Sequence, residues 1–347
     1  MNSKSTVIII LLVLIAVIAC RKGSNDAPQP DDVRFVAPSN FPQPVYSFEN
    51  NAVTKNGFEL GRKLFFDSGL SIDGSVSCGS CHQPFAAFAN LDHSVSHGVD
   101  NCLGTRNTPP LFNLVWQQEF MWDGGVRNIE VSPLNALTNP CEMANTLTNV
   151  VDVLNKSNQY PALFNKAFGT STVTSQLMFR ALTQFMSMLV SANSKYDKHI
   201  RKETGGDFSI DEEAGYQLFI QKCSVCHKEP LFTDLSYRSN GLDLYSEDRG
   251  RDSITQNEAD RGKFRVPTLR NIEVTMPYMH DGRFNTLKRV LEHYNSGVKN
   301  NPNLDAELKK NGVSGIPLTQ TEQTQIIAFL KTLTDNDFIH DKRFAEQ

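Results

Sequence analysis

The sequence lacks a large excess of charge of either sign. Its 347 residues include 34 Lys and Arg against 38 Asp and Glu, which gives a formal net charge of −4 at pH 7. A surface that binds nucleic acid needs clustered positive charge, so this balance argues against a nucleic-acid partner. The length is sufficient for two domains of ordinary size.

Long apolar runs are also missing. The run from Val7 to Ala19 is shorter than the roughly 20 residues that a membrane-spanning helix needs, and Lys4 precedes it. This is the form of a secretory signal peptide, residues 1–19. The following residue is Cys20, and the junction resembles a bacterial lipoprotein processing site. The resemblance implies cleavage before Cys20, lipid on its sulfur and an exported, periplasmic, membrane-tethered protein; an uncleaved anchor is the alternative.

Continuous β-type alternation of apolar and polar residues is scarce, whereas several segments have apolar residues at helical spacing. Helices are predicted at residues 56–67, from Thr174 to Ile200, after Ser209, from Leu287 to Tyr294 and after Thr319. Ser209 with Glu212, and Thr319 with Glu322, have the spacing of helix capping boxes. The sequence therefore predicts a mainly α, loop-rich fold.

Two Cys-x-x-Cys-His runs stand far apart in the chain. They are Cys78-Gly79-Ser80-Cys81-His82 and Cys223-Ser224-Val225-Cys226-His227. This is the pattern of c-type haem attachment, in which both thiols bond to one porphyrin and the histidine is an axial ligand of the iron. A zinc site or a dithiol redox pair is the weaker alternative. We predict two covalent haem c groups, one in each domain.

Composition suggests where the domains begin and end. Residues 20–45 are rich in Pro, Asp, Asn and Ser without an apolar period, which predicts a flexible tether. A second linker is predicted at residues 202–207, which contain two adjacent glycines. The predicted haem domains are therefore residues 46–203 and 204–347.

Six further segments resemble, in order, those of the bacterial diheme cytochrome c peroxidases. The segments are Arg106–Asn113, Phe120–Gly124, Asn139–Met143, Pro230–Asp234, Val266–Asn271 and Pro277–Gly282. The resemblance covers nearly the whole exported body. It implies two cytochrome-c-like domains, of which the N-terminal one is peroxidatic and the C-terminal one transfers electrons.

The resemblance also implies an activity, the reduction of hydrogen peroxide to water. Glu142 matches the glutamate that moves a proton between the two peroxide oxygens. Trp122 is similar to the tryptophan that lies between the two haems. The electrons would come from a small cytochrome c or copper protein and enter at the second haem.

The axial ligands are less uniform in this family. The sixth ligand of the second haem is usually Met, but Tyr294 occupies the corresponding place here, with Met276 and Met279 as alternatives. A tyrosine there resembles the related diheme enzyme that matures methylamine dehydrogenase by oxidising a tryptophan pair. A diheme oxidase acting on a protein or organic substrate, and a non-enzymatic electron carrier, are therefore alternatives. At the first haem, His93 or His97 is a candidate distal ligand or an ordinary surface residue.

The family further implies a calcium ion between the domains, for which the matching positions are Asn107, Thr275 and Pro277. Family members are often homodimers. Seven cysteines, less Cys20 and the four in the haem motifs, leave Cys102 and Cys141. Such a pair is a disulfide candidate in an oxidising compartment, and two buried free thiols are the alternative.

Overall fold

Short helices and irregular loops dominate the computed structural model, which describes residues 33–91, 93–310 and 312–347. The predicted signal peptide and Cys20 lie outside these residues. Residues Arg34–Gln347 make up one compact unit, and the predicted boundary between residues 203 and 204 stays a prediction. No helix within the described segments is long and apolar enough to cross a membrane.

The helices, numbered in chain order, are α1 (Lys55–Phe66), α2 (Cys78–Cys81), α3 (Pro133–Thr138), α4 (Leu147–Lys156), α5 (Tyr160–Phe168), α6 (Ser175–Ser187), α7 (Lys195–Ile200), α8 (Ile210–Lys222), α9 (Asp252–Thr255), α10 (Leu287–Glu292), α11 (Gln320–Lys331) and α12 (Asn336–Ile339). A π-helical turn, His293–Gly297, continues α10. Two antiparallel ribbons pair β1 (Tyr237–Arg238) with β2 (Phe264–Arg265) and β3 (Lys309–Lys310) with β4 (Val313–Ser314). The predicted mainly helical, loop-rich fold is confirmed.

Two helix pairs form the framework, and each crossing requires a glycine. Helix α1 packs on α6, and α8 packs on α11. A Cβ on Gly61 would lie 1.9 Å from the carbonyl oxygen of Ala181, and one on Gly215 would lie 1.9 Å from that of Gln325. Both glycines occur in the same sequence, Glu-x-Gly-x-x-Leu-Phe. The framework is thus built twice, once beside each haem motif.

The predicted capping boxes are confirmed. Ser209 accepts a hydrogen bond from the Glu212 backbone while the Glu212 side chain accepts one from the Ser209 backbone, and Thr319 and Glu322 do the same. The helices α8 and α11 begin directly after these caps. Helices α4 and α5 were not predicted.

The prediction of one long helix from Thr174 to Ile200 is wrong. The helix ends at Ser187, and α7 begins after Ser194, which forms its own capping box with Asp197. Between them, the Asn113 side chain accepts a hydrogen bond from the Ser191 amide and donates one to the Ser191 carbonyl, both at 3.0 Å. Because the amide and the carbonyl of Ser191 are both bonded to Asn113, they do not form the backbone hydrogen bonds that would continue the helix.

The predicted tether is too long at its C-terminal end. Residues 35–45 pack on the body, where Phe35 and Phe41 contact Trp116. The Trp116 indole nitrogen also donates a hydrogen bond to the carbonyl oxygen of Pro42 at 2.8 Å. Burial of these aromatic rings orders a segment whose proline and aspartate content indicated flexibility.

A buried ion pair joins α7 to the loop before α10. Arg270 donates two hydrogen bonds to Asp197, both at 2.8 Å, and neither side chain is accessible to solvent. Burial alone would raise the pKa of Asp197, but the hydrogen bonds and charge of Arg270 outweigh it and hold that pKa below its usual range. Removal of either partner would leave an unpaired charge in the interior.

We expect Arg270→Ala to lower the free energy of unfolding by about 3–5 kcal/mol, because it leaves the Asp197 carboxylate buried and unpaired. Guanidinium denaturation of the purified protein measures this loss. The control is Arg289→Ala, since Arg289 pairs with Glu292 on the surface and such pairs contribute at most about 1 kcal/mol. Equal losses in the two variants would contradict a structural role for the buried pair.

Candidate haem centres

The histidine of each haem motif is oriented by a backbone carbonyl. The Nδ1 atom of His82 lies 2.8 Å from the carbonyl oxygen of Phe88, and Nδ1 of His227 lies 3.2 Å from those of Phe232 and Pro267. A carbonyl only accepts, so Nδ1 carries the proton and Nε2 keeps a free lone pair for iron. Burial lowers the pKa of His82 to about 4 and lowers that of His227, which keeps both rings neutral.

Phe88 and Phe232, whose carbonyl groups accept these hydrogen bonds, share an unusual backbone conformation. Phe88 has φ 60° and Phe232 has φ 54°, in the left-handed region. This conformation costs a residue with a Cβ about 1 kcal/mol. Its occurrence at both sites indicates that the turn after each motif is shaped to present a carbonyl to the histidine.

A cavity of about 610 Å³ lies beside the second motif. Cys223, Cys226 and His227 stand on its wall, and the remaining lining is largely apolar, including Leu269, Leu287, Leu291, Ile326 and Leu330. Burial raises the pKa of Cys223 to about 12 and that of Cys226 to about 11, so both thiols are neutral. The volume is within the usual range for cofactor pockets, and the donor set fits a covalently held haem.

The candidate sixth ligands of the second haem differ in position. Tyr294 lines the cavity, and so does Met279, whereas Met276 packs against the apolar core instead. Asn240 lies near both cavity residues: its side-chain nitrogen is 3.4 Å from the Met279 sulfur, and its side chain is close enough to Tyr294 to oppose the rise that burial causes in the pKa of that phenol. Burial raises the pKa of Tyr294 to about 12. Ligation by Tyr294 or by Met279 stays a prediction.

Trp122 stands on the wall of the same cavity. Its indole nitrogen donates to the carbonyl oxygen of Asn107 at 2.8 Å, and its own carbonyl accepts from the Arg265 amide at 2.8 Å. Asn107, Thr275 and Pro277 also line the cavity, so the three predicted calcium positions border the same space. Among the residues that the structure describes there is no cluster of three or more His, Cys, Asp or Glu able to hold a metal ion. The calcium site, which relies on amide and carbonyl oxygens, stays a prediction.

Glu142 lies beside the first haem motif. Burial raises its pKa, while Asn139 donates a hydrogen bond to one carboxylate oxygen at 2.8 Å. The carboxylate is close enough to raise the pKa of the Cys78 and Cys81 thiols, although burial is the larger cause of both shifts. The geometry therefore brings a partly desolvated carboxyl group to the side of the first haem.

The backbone around Glu142 is tied to the loop that carries the candidate distal histidines. Cys102 and Cys141 form a disulfide with a Cα–Cα distance of 4.9 Å, as the count of unassigned cysteines predicted. The Val99 amide donates to the Glu142 carbonyl at 2.9 Å. His93 and His97 are exposed, with ring centroids 5.0 Å apart, and a distal role for either stays a prediction.

The sequence reasoning missed a second internal repeat. Phe120-Met121-Trp122-Asp123-Gly124 and Tyr278-Met279-His280-Asp281-Gly282 both form tight turns with left-handed Met and Gly residues, each closed by an antiparallel bridge. His280 thus takes the place of Trp122 and stacks on Phe264 with the ring centroids 3.7 Å apart. The repeated Met-x-Asp-Gly was the available signal. Asn240 and Arg265 were also missed, and neither has a motif that would reveal it.

A family model described as di-haem cytochrome c peroxidase matches residues 55–205. The methylamine utilization protein MauG of Methylorubrum extorquens is 34% identical over 319 residues, which cover 89% of this chain and 86% of that protein. The cytochrome c551 peroxidase of Nitrosomonas europaea is 36% identical over 282 residues, covering 80% and 79%.

Solved structures agree with these relatives. The crystal structure of a MauG-like protein associated with microbial copper homeostasis has a TM-score of 0.80 and 29% identity, and the match covers 89% of this chain and 97% of that one. The diheme peroxidase BthA of Burkholderia thailandensis shares the fold, with a TM-score of 0.70 at 21% identity over 84% of this chain and 89% of its own.

We expect Cys102 and Cys141 to resist iodoacetamide in denaturant until dithiothreitol is added, because the bond between them consumes both thiols. Peptide mass spectrometry after labelling measures this. The disulfide closes a loop of 39 residues, so Cys102→Ala with Cys141→Ala should lower the free energy of unfolding by about 2–4 kcal/mol. Labelling of both cysteines without reductant would contradict the disulfide.

Proposed function

Since the chain belongs to the di-haem cytochrome c peroxidase family of oxidoreductases and so carries two haem c groups, we propose that it reduces hydrogen peroxide to water. We further propose a small cytochrome c or copper protein as the electron donor. The observation that carries the proposal is Glu142, a partly desolvated carboxyl group beside the first haem motif.

When bound, haem would supply the iron chemistry and the electrons that peroxide needs, and His82 and His227 would hold the two irons. Glu142 would accept the proton from one peroxide oxygen and return it to the other, which then leaves as water. Asn139 fixes one carboxylate oxygen of Glu142 and leaves the other for this exchange. The raised pKa of Glu142 suits the role, because a group that both takes and gives a proton works best near the operating pH.

Trp122 is proposed to carry electrons between the two haem sites. Its ring lines the cavity of the second haem, and its hydrogen bond to Asn107 holds the indole in place. Electrons would enter at the second haem, whose motif includes the exposed Val225.

We also propose export with lipid attachment at Cys20, a calcium ion at Asn107, Thr275 and Pro277, and a homodimer. The presence of all three calcium candidates in the lining of one cavity supports the second of these.

A second function, oxidation of a protein or organic substrate, is favoured by the position of Tyr294. This residue lines the haem cavity within reach of the Asn240 side chain, and one similar protein is a methylamine utilization MauG. A phenolate ligand would stabilise a highly oxidised iron and lower its reduction potential. An electron carrier, the third candidate, would show no high-spin ferric signal in electron paramagnetic resonance (EPR) spectra of any redox state.

We expect Glu142→Gln to lower kcat for peroxide by about 10²–10⁴-fold, because the amide cannot exchange the proton. Stopped-flow oxidation of reduced cytochrome c measures the rate, and an unchanged haem spectrum shows that the site is intact. The control is Glu292→Gln on the exposed end of α10, which should keep full activity. An active Glu142→Gln enzyme would exclude this residue as the acid–base group.

The pH profile of the wild-type enzyme should reflect the raised pKa of Glu142. The carboxylate must be deprotonated to accept the first proton, so activity is lost as the pH falls through that pKa. The acid limb of kcat/KM should therefore lie above about pH 4.3, the ordinary value for Glu, and should be absent in Glu142→Gln. An acid limb at about pH 4.3 would contradict the raised pKa and show that the Glu142 carboxyl group is fully hydrated.

We expect Tyr294→Phe to change the low-spin ferric EPR signal of the second haem and to raise its reduction potential, because an anionic ligand is lost. Met279→Leu should leave both unchanged, and Met276→Leu is the control away from the cavity. Redox titration followed by EPR spectroscopy measures both quantities. The reverse result, loss of the signal in Met279→Leu alone, would assign methionine ligation and weaken the oxidase alternative.

A further inference from the structure

Two tyrosines share one carboxylate oxygen close to the second haem motif. The hydroxyl groups of Tyr196 and Tyr216 donate to the same Oε1 atom of Glu229, at 2.5 and 2.9 Å. Their ring centroids are 6.1 Å apart. Glu229 is exposed, so a proton that reaches it can pass on to water.

The pair is connected to the haem histidine by direct contacts. The Tyr196 ring centroid lies 4.7 Å from that of Phe232, and the Phe232 carbonyl accepts the hydrogen bond from His227. Tyr196 is only 3% exposed, whereas Tyr216 is partly open to solvent. His227, Phe232, Tyr196 and Tyr216 thus form a continuous line from the second haem site to the surface.

The shared carboxylate makes both phenols oxidisable. Loss of one electron turns a phenol into a strong acid, so the oxidation proceeds readily only when a base already accepts its hydrogen bond. The 2.5 Å contact from Tyr196 has the length of a charge-assisted O–H···O⁻ bond. Burial and the Glu229 carboxylate raise the pKa of both phenols, so each keeps its proton until it is oxidised.

Another tyrosine in the molecule has the same carboxylate contact without these properties. Tyr237 donates to Glu119 at 2.9 Å, but the Arg251 guanidinium lies 4.0 Å from its ring centroid. A cation over the ring opposes removal of an electron. The Arg270 guanidinium lies farther from the Tyr196 ring centroid, at 6.0 Å, and its charge is balanced by Asp197.

We infer that Tyr196 and Tyr216 form an exit route by which oxidising equivalents leave the second haem site and reach the surface at Tyr216. The inference rests on the proposed function, which supplies hydrogen peroxide as the oxidant. Each tyrosine gives one electron to the oxidised haem site and one proton to Glu229, and becomes a neutral radical. Two such oxidations supply the two electrons that convert one hydrogen peroxide into two waters, and the two protons that Glu229 passes in turn to solvent balance the two that the peroxide takes up from it.

Freeze-quench EPR spectroscopy tests the route in the haem-loaded protein mixed with hydrogen peroxide and no electron donor. Wild-type protein should give a tyrosyl radical signal that narrows when the tyrosine rings are deuterated. The double variant Tyr196→Phe with Tyr216→Phe should lose that signal, and Glu229→Gln should delay it, because an amide is not a base. The matched control Tyr237→Phe should keep the full signal.

A radical of undiminished yield in the double variant overturns the inference. The inference is also overturned if wild-type protein consumes peroxide but forms no tyrosyl radical. That result leaves the proposed function intact. Should peroxide not be consumed, the proposed function fails instead. In that case ruthenium(III) tris-bipyridine, generated by a laser flash, replaces hydrogen peroxide as the oxidant. The same comparison of wild-type, double-variant and Tyr237→Phe protein then shows whether the radical forms at Tyr196 and Tyr216.

Discussion

The ion pair of Arg270 and Asp197 connects the parts of the chain that must stay fixed around the second haem. Asp197 also accepts a hydrogen bond from the Asn40 side chain, so the N-terminal segment joins the pair. Arg270 donates from Nε to the carbonyl oxygen of Pro230, two residues before the carbonyl that orients His227. Because both charges are buried, neither can move without exposing the other, and the turn that presents the Phe232 carbonyl is held with them.

The molecule repeats one plan and departs from it where chemistry is required. The glycine crossings, the haem motifs, the left-handed phenylalanines and the Met-x-Asp-Gly turns occur in both halves. Asn113 and Asn271, both left-handed, even bind the same residue, Ser191. The disulfide and Glu142 belong to the first half alone, and Tyr294 to the second. The two sites therefore differ in the residues that surround them, although they are built on a shared framework.

The sequence predicted what depends on local chemistry. Haem attachment, the two capping boxes and the pairing of Cys102 with Cys141 follow from neighbouring residues or from a count. The break after α6 could not be predicted, because Asn113 reaches Ser191 across 78 positions and the side chains of the broken segment remain compatible with a helix. The order of residues 35–45 was missed for a similar reason: it depends on Trp116, far along the chain. Asn240 comes close to Met279 and Tyr294 only in the folded chain, so its neighbours in the sequence give no sign of this position.

Asn240 explains why the sequence alone leaves the second haem ambiguous. One amide lies beside both Met279 and Tyr294, so the fold keeps the two candidate ligands close to the same polar group. An amide N–H close to a phenol oxygen stabilises its charged form, and the Asn240 side chain accordingly opposes the rise that burial causes in the pKa of Tyr294. The thioether accepts only a weak hydrogen bond and gains little from the same contact. The residue that neither motif nor resemblance singles out therefore acts on the charge of the phenol and hardly at all on the thioether.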